Sequence, residues 1–405
     1  MNIAILHPEL GIGGAERLVV DAAMALQARN HHVTLFTAHR DPQHCFPEAR
    51  DGTLDVREHG RRLPLHVGGH LRAPAAIMRM LASVRAARRD SRRFDVVFCD
   101  SVAHVVPILR RALRVPIAFY CHFPDQLLTP RRRGWYRWYR RPLDRLEEIG
   151  MASADHLLVN SAFTAATVRR TFPRLALTPQ VLHPGVNPEH YRAAAAAAPA
   201  ACDTVLALSR YVPAKNLVLA VDAFARLRDM LPEATARARL VIAGGYDPRL
   251  AESRDTAAAL RARADALRIG EQVILRHSPT DAERLALFAE ARCVVYTPSR
   301  EHFGYVPIEA MAAGRPVVAV GDGGPAETID DGRTGFLRPA TADDFADALR
   351  AFWIEPERAS RMGRAGRARV ARDFSLHGFG ARLEATLAAM VTSAAARSTD
   401  RARAG

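Results

Sequence analysis

The chain has 405 residues, 49% of them hydrophobic, which is too long for one ordinary core, so we expect two domains. This composition is that of a globular protein and excludes a disordered chain. The net charge is +14 and the pI is about 10.4. Such a basic balance points to a phosphate-rich partner: nucleic acid, an anionic membrane surface or a phosphorylated substrate.

The sequence carries no sign of secretion or of a membrane span. It opens with MNIAILHPEL, which lacks a basic region ahead of an apolar core, and no uninterrupted apolar run approaches ~18 residues. No pair of its five cysteines has Cys-x-x-Cys or metal-ligand spacing, so they read as free thiols in a reducing compartment. We predict a cytoplasmic protein that associates peripherally with the cytosolic face of a membrane.

Apolar runs separated by helical patterns fill the first half of the chain. The predicted strands are 2–6, 32–38, 95–100, 116–122 and 156–161. Fully apolar strands that alternate with helices indicate a parallel sheet covered on both faces. We therefore predict an α/β, Rossmann-like domain over 1–186, with its ligand site at the carboxyl ends of the strands.

The character of the chain changes after this domain. The low-complexity run NPEHYRAAAAAAPAACD predicts an Ala-rich linker over 187–203. New strands begin near 204, 239, 272, 293 and 315, and they predict a second Rossmann-like domain over 204–375, facing the first across a cleft. A C-terminal helix over 376–392 and a disordered tail over 393–405 complete the prediction.

Two loops of the first domain are candidates for ligand contact. Gly13 and Gly14 lie in GIGGAER between the first strand and the first helix, where the pattern fits an anion cradle or a simple tight turn. His122 directly follows the fourth apolar run. It is either a satisfied core histidine or a residue at the edge of the cleft.

A basic and aromatic segment, RRRGWYRWYRR, spans 131–141. Cations interleaved with aromatic rings suit a membrane interface, a lipid pyrophosphate or nucleic acid, and the alternative is a solvated helix face with one buried side. We predict a membrane or acceptor contact, carried by Arg131, Arg132, Arg133, Trp135 and Trp138. The Arg-interrupted segment 73–94 likewise reads as a basic amphipathic helix lying on a membrane.

Lys215 is the only lysine of the chain, whereas the rest of its 57 basic residues are arginines. It shares a loop with Arg210 at the end of the first strand of the second domain. Two cations on one such loop suit a diphosphate, and a compact ammonium can sit against a phosphate as a point charge. No Asp-x-Asp occurs in the chain. We therefore predict that no metal cofactor is needed and that these cations neutralise a diphosphate leaving group.

The segment SREHFGYVPIEAMAAGRPVVA carries the sharpest signal in the chain. Glu301 and Glu309 are separated by seven residues, and the turn between them should offer the backbone amides of Phe303 and Gly304. Pro307 suits the first turn of a helix that would then contain Glu309. Two carboxylates at a strand-to-helix junction can accept hydrogen bonds from sugar hydroxyls. The alternative is an ion-paired loop and a glutamate placed at the helix start.

The E-x7-E pattern, the R-x4-K loop and GGAE together resemble the retaining GT-B glycosyltransferases of the GT4 type, over nearly the whole chain. Longer segments resemble, within that group, the α-1,3/1,6-mannosyltransferase family of lipid-linked oligosaccharide assembly: HPELGIGGAERLVVDAA, HRDPQHCF, FYCHFPDQLLT, YRRPLDRLEE, LVNSAFTAATVRRTFP, IAGGYDPR and TPSREHFGYVPIEAM. That family moves mannose from GDP-mannose to a mannosylated glycan on a polyprenyl diphosphate. The resemblance to the GT-B fold also implies that the C-terminal helix crosses back to the first domain.

The resemblance implies a role for each candidate residue. Gly13 and Gly14 would line the donor and acceptor cleft and contact the donor. His122 would approach the transferred sugar, and Arg210 with Lys215 would neutralise the GDP diphosphate. Glu301 and the amides of Phe303 and Gly304 would contact donor mannose and phosphate, while Glu309 would bind ribose. Tyr246 and the loop 277–279 would flank the base. The mechanism is expected to retain anomeric configuration without a carboxylate nucleophile.

Other functions fit part of the pattern. The Arg and Ala bias suggests a bacterial source, so a glycosyltransferase of surface polysaccharide or glycolipid synthesis, with another donor or acceptor, is the alternative. The +14 charge and RRRGWYRWYRR also fit a nucleic-acid-binding or membrane-binding scaffold. Such a scaffold would have no need of the Glu301–Glu309 loop, so we expect an enzyme with a nucleotide sugar, a lipid-linked glycan and an anionic membrane as partners, and no nucleic acid.

Overall fold

The computed structural model describes residues 1–63, 72–128 and 135–403. The chain forms two compact units. Unit 1 contains Met1–Gly185 and the chain from Leu376 onward, and unit 2 contains Val186–Ser375. Each unit is built on its own parallel sheet, with helices in the connections between strands.

Unit 1 contains a seven-stranded sheet in the order β3-β2-β1-β4-β5-β6-β7. Every pair of neighbours is parallel. The strands are β1 Asn2–His7, β2 His32–Thr37, β3 Asp55–Glu58, β4 Val96–Asp100, β5 Ile117–Cys121, β6 His156–Val159 and β7 Gln180–Val181. The helices are α1 Gly14–Gln27, α2 Arg72–Arg89, α3 Val106–Leu113, α4 Asp125–Leu128, α5 Trp135–Ala152, α6 Ala162–Thr171 and, at the C-terminus, α15 Leu376–Arg403.

Both faces of this sheet are buried, which explains why its central strands are apolar throughout. Along β1, Ile3 and Ile5 belong to one core, while Ala4 and Leu6 belong to the core on the opposite face. Successive side chains of a strand point to opposite faces, so a strand covered on both sides needs no polar alternation. The strand order reverses direction between β1 and β4, and a crevice at the carboxyl ends of the strands is expected at such a point.

Unit 2 contains a six-stranded parallel sheet in the order β10-β9-β8-β11-β12-β13. Its strands are β8 Thr204–Leu208, β9 Arg239–Gly244, β10 Val273–His277, β11 Ala291–Tyr296, β12 Val317–Val320 and β13 Gly335–Arg338. Its helices are α7 Arg192–Ala196, α8 Val218–Met230, α9 Ala251–Ala266, α10 Asp281–Glu290, α11 Tyr305–Ala312, α12 Pro325–Thr328, α13 Ala342–Ile354 and α14 Pro356–Asp373. Here the order reverses between β8 and β11.

The predicted linker over 187–203 is wrong, because this segment is a folded part of unit 2. It forms two 3₁₀ turns, Pro188–Tyr191 and Pro199–Ala201, on either side of α7, and it buries Tyr191 and Ala194. The fully buried guanidinium of Arg315 donates to the carbonyls of Ala194 and Ala197, and it also reaches those of Ala291 and Ala313. A run of alanines looks like low complexity, yet its small side chains let the backbone pack closely against a neighbouring side chain.

The prediction that the C-terminal helix returns to the first domain is confirmed. Helix α15 packs its buried residues Phe379, Leu383, Leu387 and Met390 into the same core as α1 and β1. A Cβ at Gly380 would lie 2.7 Å from that of Ala25, so this glycine allows close helix contact. The predicted disordered tail is wrong for 393–403, since α15 continues to Arg403 in an Ala-rich sequence with high helix propensity.

The interpretation of 73–94 as a helix lying on a membrane is also wrong. Helix α2 buries Ala75, Met80, Val84 and Ala87 in the core of unit 1, so its apolar face is not available to lipid. Among the described residues, no helix is both long and apolar enough to cross a membrane. All five cysteines are unpaired, as predicted.

Candidate functional site

The cations and carboxylates predicted in the second domain do meet, at the carboxyl ends of two neighbouring strands. Lys215 follows β8, Glu301 follows β11, and β8 pairs with β11 at the point where the strand order reverses. The Lys215 ammonium donates a hydrogen bond to Glu301 Oε2. Thr297 Oγ1 donates to the Lys215 carbonyl oxygen at 2.6 Å and ties the two loops together. Arg210, on the same loop as Lys215, is exposed.

Glu301 is held as a carboxylate in this position. Burial opposes its ionisation, but the charge and hydrogen bond of Lys215, with smaller contributions from His302 and Tyr296, keep the pKa of Glu301 below its ordinary value. The pair thus places one negative and one positive group side by side at a strand end. A diphosphate and a sugar hydroxyl are the kinds of group that such a pair can bind.

Glycines shape the loop around Glu301. Gly304 precedes α11 with a φ of +87°, and a Cβ there would press against the Tyr296 ring at 3.2 Å. Gly323 and Gly324, which follow β12, pack directly on the backbone of this loop; a Cβ on Gly324 would lie 2.3 Å from the Phe303 Cα. The Gly324 amide also donates to the Glu301 carbonyl oxygen at 2.8 Å. Side chains at either position would displace the loop.

Glu309 lies in α11, in the helix predicted to begin near Pro307. Arg284 Nη2 donates to Glu309 Oε2 at 2.8 Å, and the buried Tyr191 hydroxyl also hydrogen-bonds to this carboxylate. The charge of Glu309 raises the pKa of Arg284, even though burial opposes it. The ion pair holds this half-buried carboxylate in one place.

Tyr246, just after β9, and His277, the last residue of the neighbouring strand β10, form a parallel stack. Their ring centroids are 3.9 Å apart with an interplanar angle of 7°. Ser278 fixes the two loops to each other, because its hydroxyl accepts from the Tyr246 amide at 3.0 Å and donates to the Tyr246 carbonyl at 3.1 Å. Flat rings at strand ends can stack with a nucleobase.

Unit 1 brings His122 together with two residues that the sequence did not single out. His7 ends β1, Asp100 ends β4, and His122 follows β5, which are adjacent strands in the order β1-β4-β5. His7 Nδ1 lies 2.7 Å from Asp100 Oδ2, and His122 Nε2 lies 2.8 Å from Asp100 Oδ1. Asp100 is fully buried, whereas about a fifth of the His122 side chain is exposed.

Charge is concentrated at this cluster. Burial opposes ionisation of Asp100, but the two imidazoles outweigh it and hold the pKa of Asp100 well below its usual range. For His7, burial alone would lower the pKa, yet the hydrogen bond and charge of Asp100, with weaker contributions from Glu16 and Glu9, raise it. The cluster is therefore a buried carboxylate shared by two histidines.

The remaining predicted residues are placed as follows. Gly14 is the first residue of α1, and Gly13 caps this helix in an extended conformation. A Cβ on Gly13 would meet the Glu16 carboxylate at 2.4 Å, so the start of α1 already faces a negative group. Arg131, Arg132 and Arg133 lie outside the described residues. Trp135 is the first residue of α5, and the Trp138 ring is 72% exposed beneath the Arg141 guanidinium.

Sequence reasoning missed His7, Asp100, Arg284 and the pair Gly323–Gly324. His7 and Asp100 are the last residues of apolar runs, so a search for polar residues at strand ends would have found them. Gly323 and Gly324 stand in GDGGPAE directly after a strand, and this position is equally visible. Arg284 gives no such signal, because one arginine on a helix among many carries no pattern.

Two units, each built on its own parallel sheet with charged residues at the strand ends, have the architecture of the GT-B class of glycosyltransferases. A family model described as glycosyl transferases group 1 matches residues 197–369, and one described as glycosyltransferase family 4 matches residues 12–190. The α-1,3/1,6-mannosyltransferase ALG2 of Homo sapiens is 42% identical over 393 residues, covering 93% of each chain. That of Rhizomucor pusillus is 40% identical, covering 97% of this chain and 92% of its own. The chain belongs to this ALG2 family of mannosyltransferases and is a hexosyltransferase.

Solved structures agree on the fold. Sucrose-phosphate synthase from Thermosynechococcus elongatus matches 97% of this chain and 99% of its own with a TM-score of 0.76 at 20% identity. HepE from Anabaena, solved with UDP and glucose, matches 96% of this chain and 99% of its own with a TM-score of 0.72 at 19% identity. The predicted GT-B class and the predicted family are thus confirmed.

Proposed function

We propose that the chain transfers mannose from GDP-mannose, with retention of configuration, to a mannosylated glycan on a polyprenyl diphosphate. Membership of the ALG2 family supports mannosyl transfer. The observation that carries the donor half of the proposal is the Lys215–Glu301 pair at the ends of β8 and β11, beside the exposed Arg210. In this proposal unit 2 binds the donor and unit 1 binds the acceptor.

In this proposal, different residues of unit 2 bind different parts of the donor. Arg210 and Lys215 take the diphosphate, Glu301 a mannose hydroxyl, and Glu309 the ribose, while the Tyr246–His277 stack flanks the base. As the bond from mannose C1 to the phosphate oxygen breaks, its electrons pass to the diphosphate, whose growing charge the two cations stabilise. The acceptor oxygen bonds to C1 on the same face, and its proton goes to the leaving phosphate, giving GDP.

A nucleotide-sugar panel tests the proposal. We expect the purified protein to form α-linked product from GDP-mannose and a Man1GlcNAc2-diphosphate lipid, and little from UDP-glucose, UDP-N-acetylglucosamine or GDP-glucose. Activity should survive EDTA, since the proposed charge stabilisation comes from side chains. If only another nucleotide sugar gave product, GDP-mannose would not be the donor. Loss of activity in EDTA, with recovery on added metal, would contradict the metal-independent mechanism.

Membrane association of the acceptor unit is part of the same proposal. The exposed apolar residues Leu127, Leu128, Trp138, Leu146 and Ile149 lie on α4 and α5. Six arginines and no acidic residue occupy 131–141. Apolar and aromatic side chains beside cations suit an anionic lipid surface.

Flotation with vesicles containing anionic lipid tests this contact. The double substitution Leu128→Ser and Trp138→Ser should release the protein from the vesicles. Ile354→Ser, which alters an equally exposed apolar residue of unit 2, should not. High salt should weaken binding, because the arginines contribute through screened charge. Equal flotation of all three proteins would contradict the proposed surface.

A further inference from the structure

The cluster of His7, Asp100 and His122 joins one buried carboxylate to two imidazoles, and the proposed donor site of unit 2 gives this arrangement no role. A carboxylate is a pure hydrogen-bond acceptor with two oxygens. Each oxygen of Asp100 lies at hydrogen-bond distance from one imidazole nitrogen, Oδ2 from His7 Nδ1 and Oδ1 from His122 Nε2. The His7 contact is a hydrogen bond, whereas His122 Nε2 and Asp100 Oδ1 form an ion-pair contact without hydrogen-bond alignment. A ring nitrogen without a proton would repel a carboxylate oxygen at these distances, so both nitrogens carry a proton.

This requirement fixes the tautomer of His122. If Nε2 carries the proton, Nδ1 is the nitrogen left as an acceptor in the neutral ring. The ring is also held in place by its neighbours. The Tyr120 ring meets it edge-on with centroids 5.1 Å apart, and Asn160 Nδ2 donates to the His122 carbonyl at 3.0 Å. Only His122 of the three cluster residues is partly exposed.

We propose that Asp100 is a positioning residue that fixes His122 in its Nε2-protonated tautomer, so that Nδ1 accepts a hydrogen bond from a hydroxyl of the bound sugar. His7 completes the arrangement, because it binds the second oxygen of Asp100 and prevents the carboxylate from rotating. The inference rests on the proposed role of His122 at the transferred sugar. It adds how the ring is oriented and by which residues.

Asp100 is the charged group that contacts the ring of His122. Further carboxylates act on its neighbours: Glu9 and Glu16 on His7, and Glu147 and Asp125 on Cys121. Cys99, Cys121 and Tyr120 adjoin Asp100 and are kept neutral, since burial raises the pKa of each. The carboxylate of Asp100 is thus the group that sets the proton position on His122.

The isosteric variant Asp100→Asn provides the test. An amide offers one oxygen and one NH2 group, so it can accept from only one of the two histidines and must donate toward the other. We expect kcat to fall about 10- to 100-fold, by analogy with the loss seen when the hydrogen-bond partner of a metal-ligating imidazole is removed. Affinity for GDP, measured by calorimetry, should be unchanged, because Arg210 and Lys215 belong to unit 2.

A spectroscopic readout does not depend on activity. In protein labelled with ¹⁵N-histidine, the long-range ¹H–¹⁵N spectrum should show His122 protonated at Nε2, and in Asp100→Asn a changed proton position on His122 or His7. The variants His122→Gln and His7→Gln identify the two signals. If the unaltered protein transferred no sugar from any donor, the proposed function would fall, while this spectrum would still decide the tautomer.

A matched control is present in the same unit. His31 Nε2 lies 2.8 Å from Glu384 Oε1, a second histidine–carboxylate pair at the opposite end of the strands. Glu384→Gln should leave kcat unchanged. Two results would each overturn the inference: full turnover in Asp100→Asn, or a His122 ring protonated at Nδ1 in the unaltered protein.

Discussion

Lys215 illustrates what a single residue contributes. Its ammonium has three donors, so it can keep the hydrogen bond to Glu301 while a phosphate oxygen takes another. A guanidinium carries the same charge, but it is larger and planar and would have to displace Glu301 to reach the same position. The composition of the chain, in which every other basic residue is arginine, shows that arginine was available as a replacement.

Lys215→Ala should lower kcat by about 100- to 1000-fold, the range for removing one group that stabilises developing negative charge. Lys215→Arg should restore part of this loss and not all of it. Steady-state assays with GDP-mannose measure both effects. Arg226→Ala, at an exposed ion pair with Asp343 in the same unit, is the control and should have normal activity. Full activity of Lys215→Arg would show that an ammonium has no special role.

Glu147 gives a second prediction, this time for stability. Its carboxylate accepts from the backbone amides of Asp125 and Gln126, just after His122. Burial raises the pKa of Glu147 to about 7, although these amides oppose the shift. A folded-state pKa above the ordinary value means that the protonated group stabilises the fold at low pH. This contribution is complete below about pH 4.5 and is lost as the pH rises through 7.

Relative to Glu147→Gln, which cannot ionise, the protein should therefore lose thermal stability between pH 5 and pH 8, the range around the folded pKa. Melting temperatures of both proteins across this range measure the difference. A constant gap between the two curves would show that Glu147 does not titrate here.

The site residues differ in how far the sequence could predict them. Lys215 and Glu301 lie in loops that follow apolar runs, so the sequence alone marks them as charged residues near strand ends. Asp100 and His7 also end apolar runs, but their pairing depends on β1 and β4 being neighbours. Periodicity reveals strands without revealing their order. The contact between Arg284 and Glu309 depends on how α10 and α11 pack, and no local pattern encodes that.

At the scale of elements, the central strands were predictable because burial on both faces makes them apolar throughout. The strands β3, β7 and β13 were not predicted. They have four residues or fewer, and β3 and β7 lie at sheet edges with half-exposed side chains, so their sequences resemble loops. The prediction of a linker over 187–203 was wrong for another reason. Its structure depends on Arg315, more than a hundred residues further along the chain.

Arg315 is accordingly the residue whose loss should most affect this segment. Arg315→Met keeps the length of the side chain but leaves several buried carbonyls without a donor, at about 1–3 kcal/mol each. We expect the melting temperature of unit 2 to fall by several degrees. The control is Arg358→Met, at a partly exposed arginine that pairs with Glu355. An equal effect of both substitutions in calorimetry would contradict the structural role of Arg315.

At the scale of the whole molecule, the C-terminal helix belongs to the first unit. Phe379, Leu383, Leu387 and Met390 are buried in its core. Burying such a side chain contributes about 1.5–3 kcal/mol, so the four together are comparable with the total stability of a domain. The sequence indicated this return through the family resemblance, whereas the length of the helix followed only from the structure.

Truncation after Ser375 should therefore unfold unit 1, which limited proteolysis would reveal as rapid loss of the N-terminal half. Truncation after Thr392 removes no residue of that core and should leave the proteolysis pattern and the activity unchanged. If the shorter protein resisted protease as well as the longer one, α15 would be an accessory to unit 1 and not part of its core.

The chain leaves unit 1 after Gly185 and returns to it at Leu376. At this seam the Val186 amide donates to the Phe374 carbonyl at 2.9 Å, and Val186 forms a parallel bridge with Ser375. Unit 2 is thus a continuous stretch of gene product whose two ends adjoin, which is the topology of an inserted module. Recombination between relatives at these two positions would exchange the whole of unit 2 and leave the chain connections within unit 1 unchanged. Under the proposal that unit 2 binds the donor, such an exchange would change the nucleotide-sugar specificity and leave unit 1 unaltered.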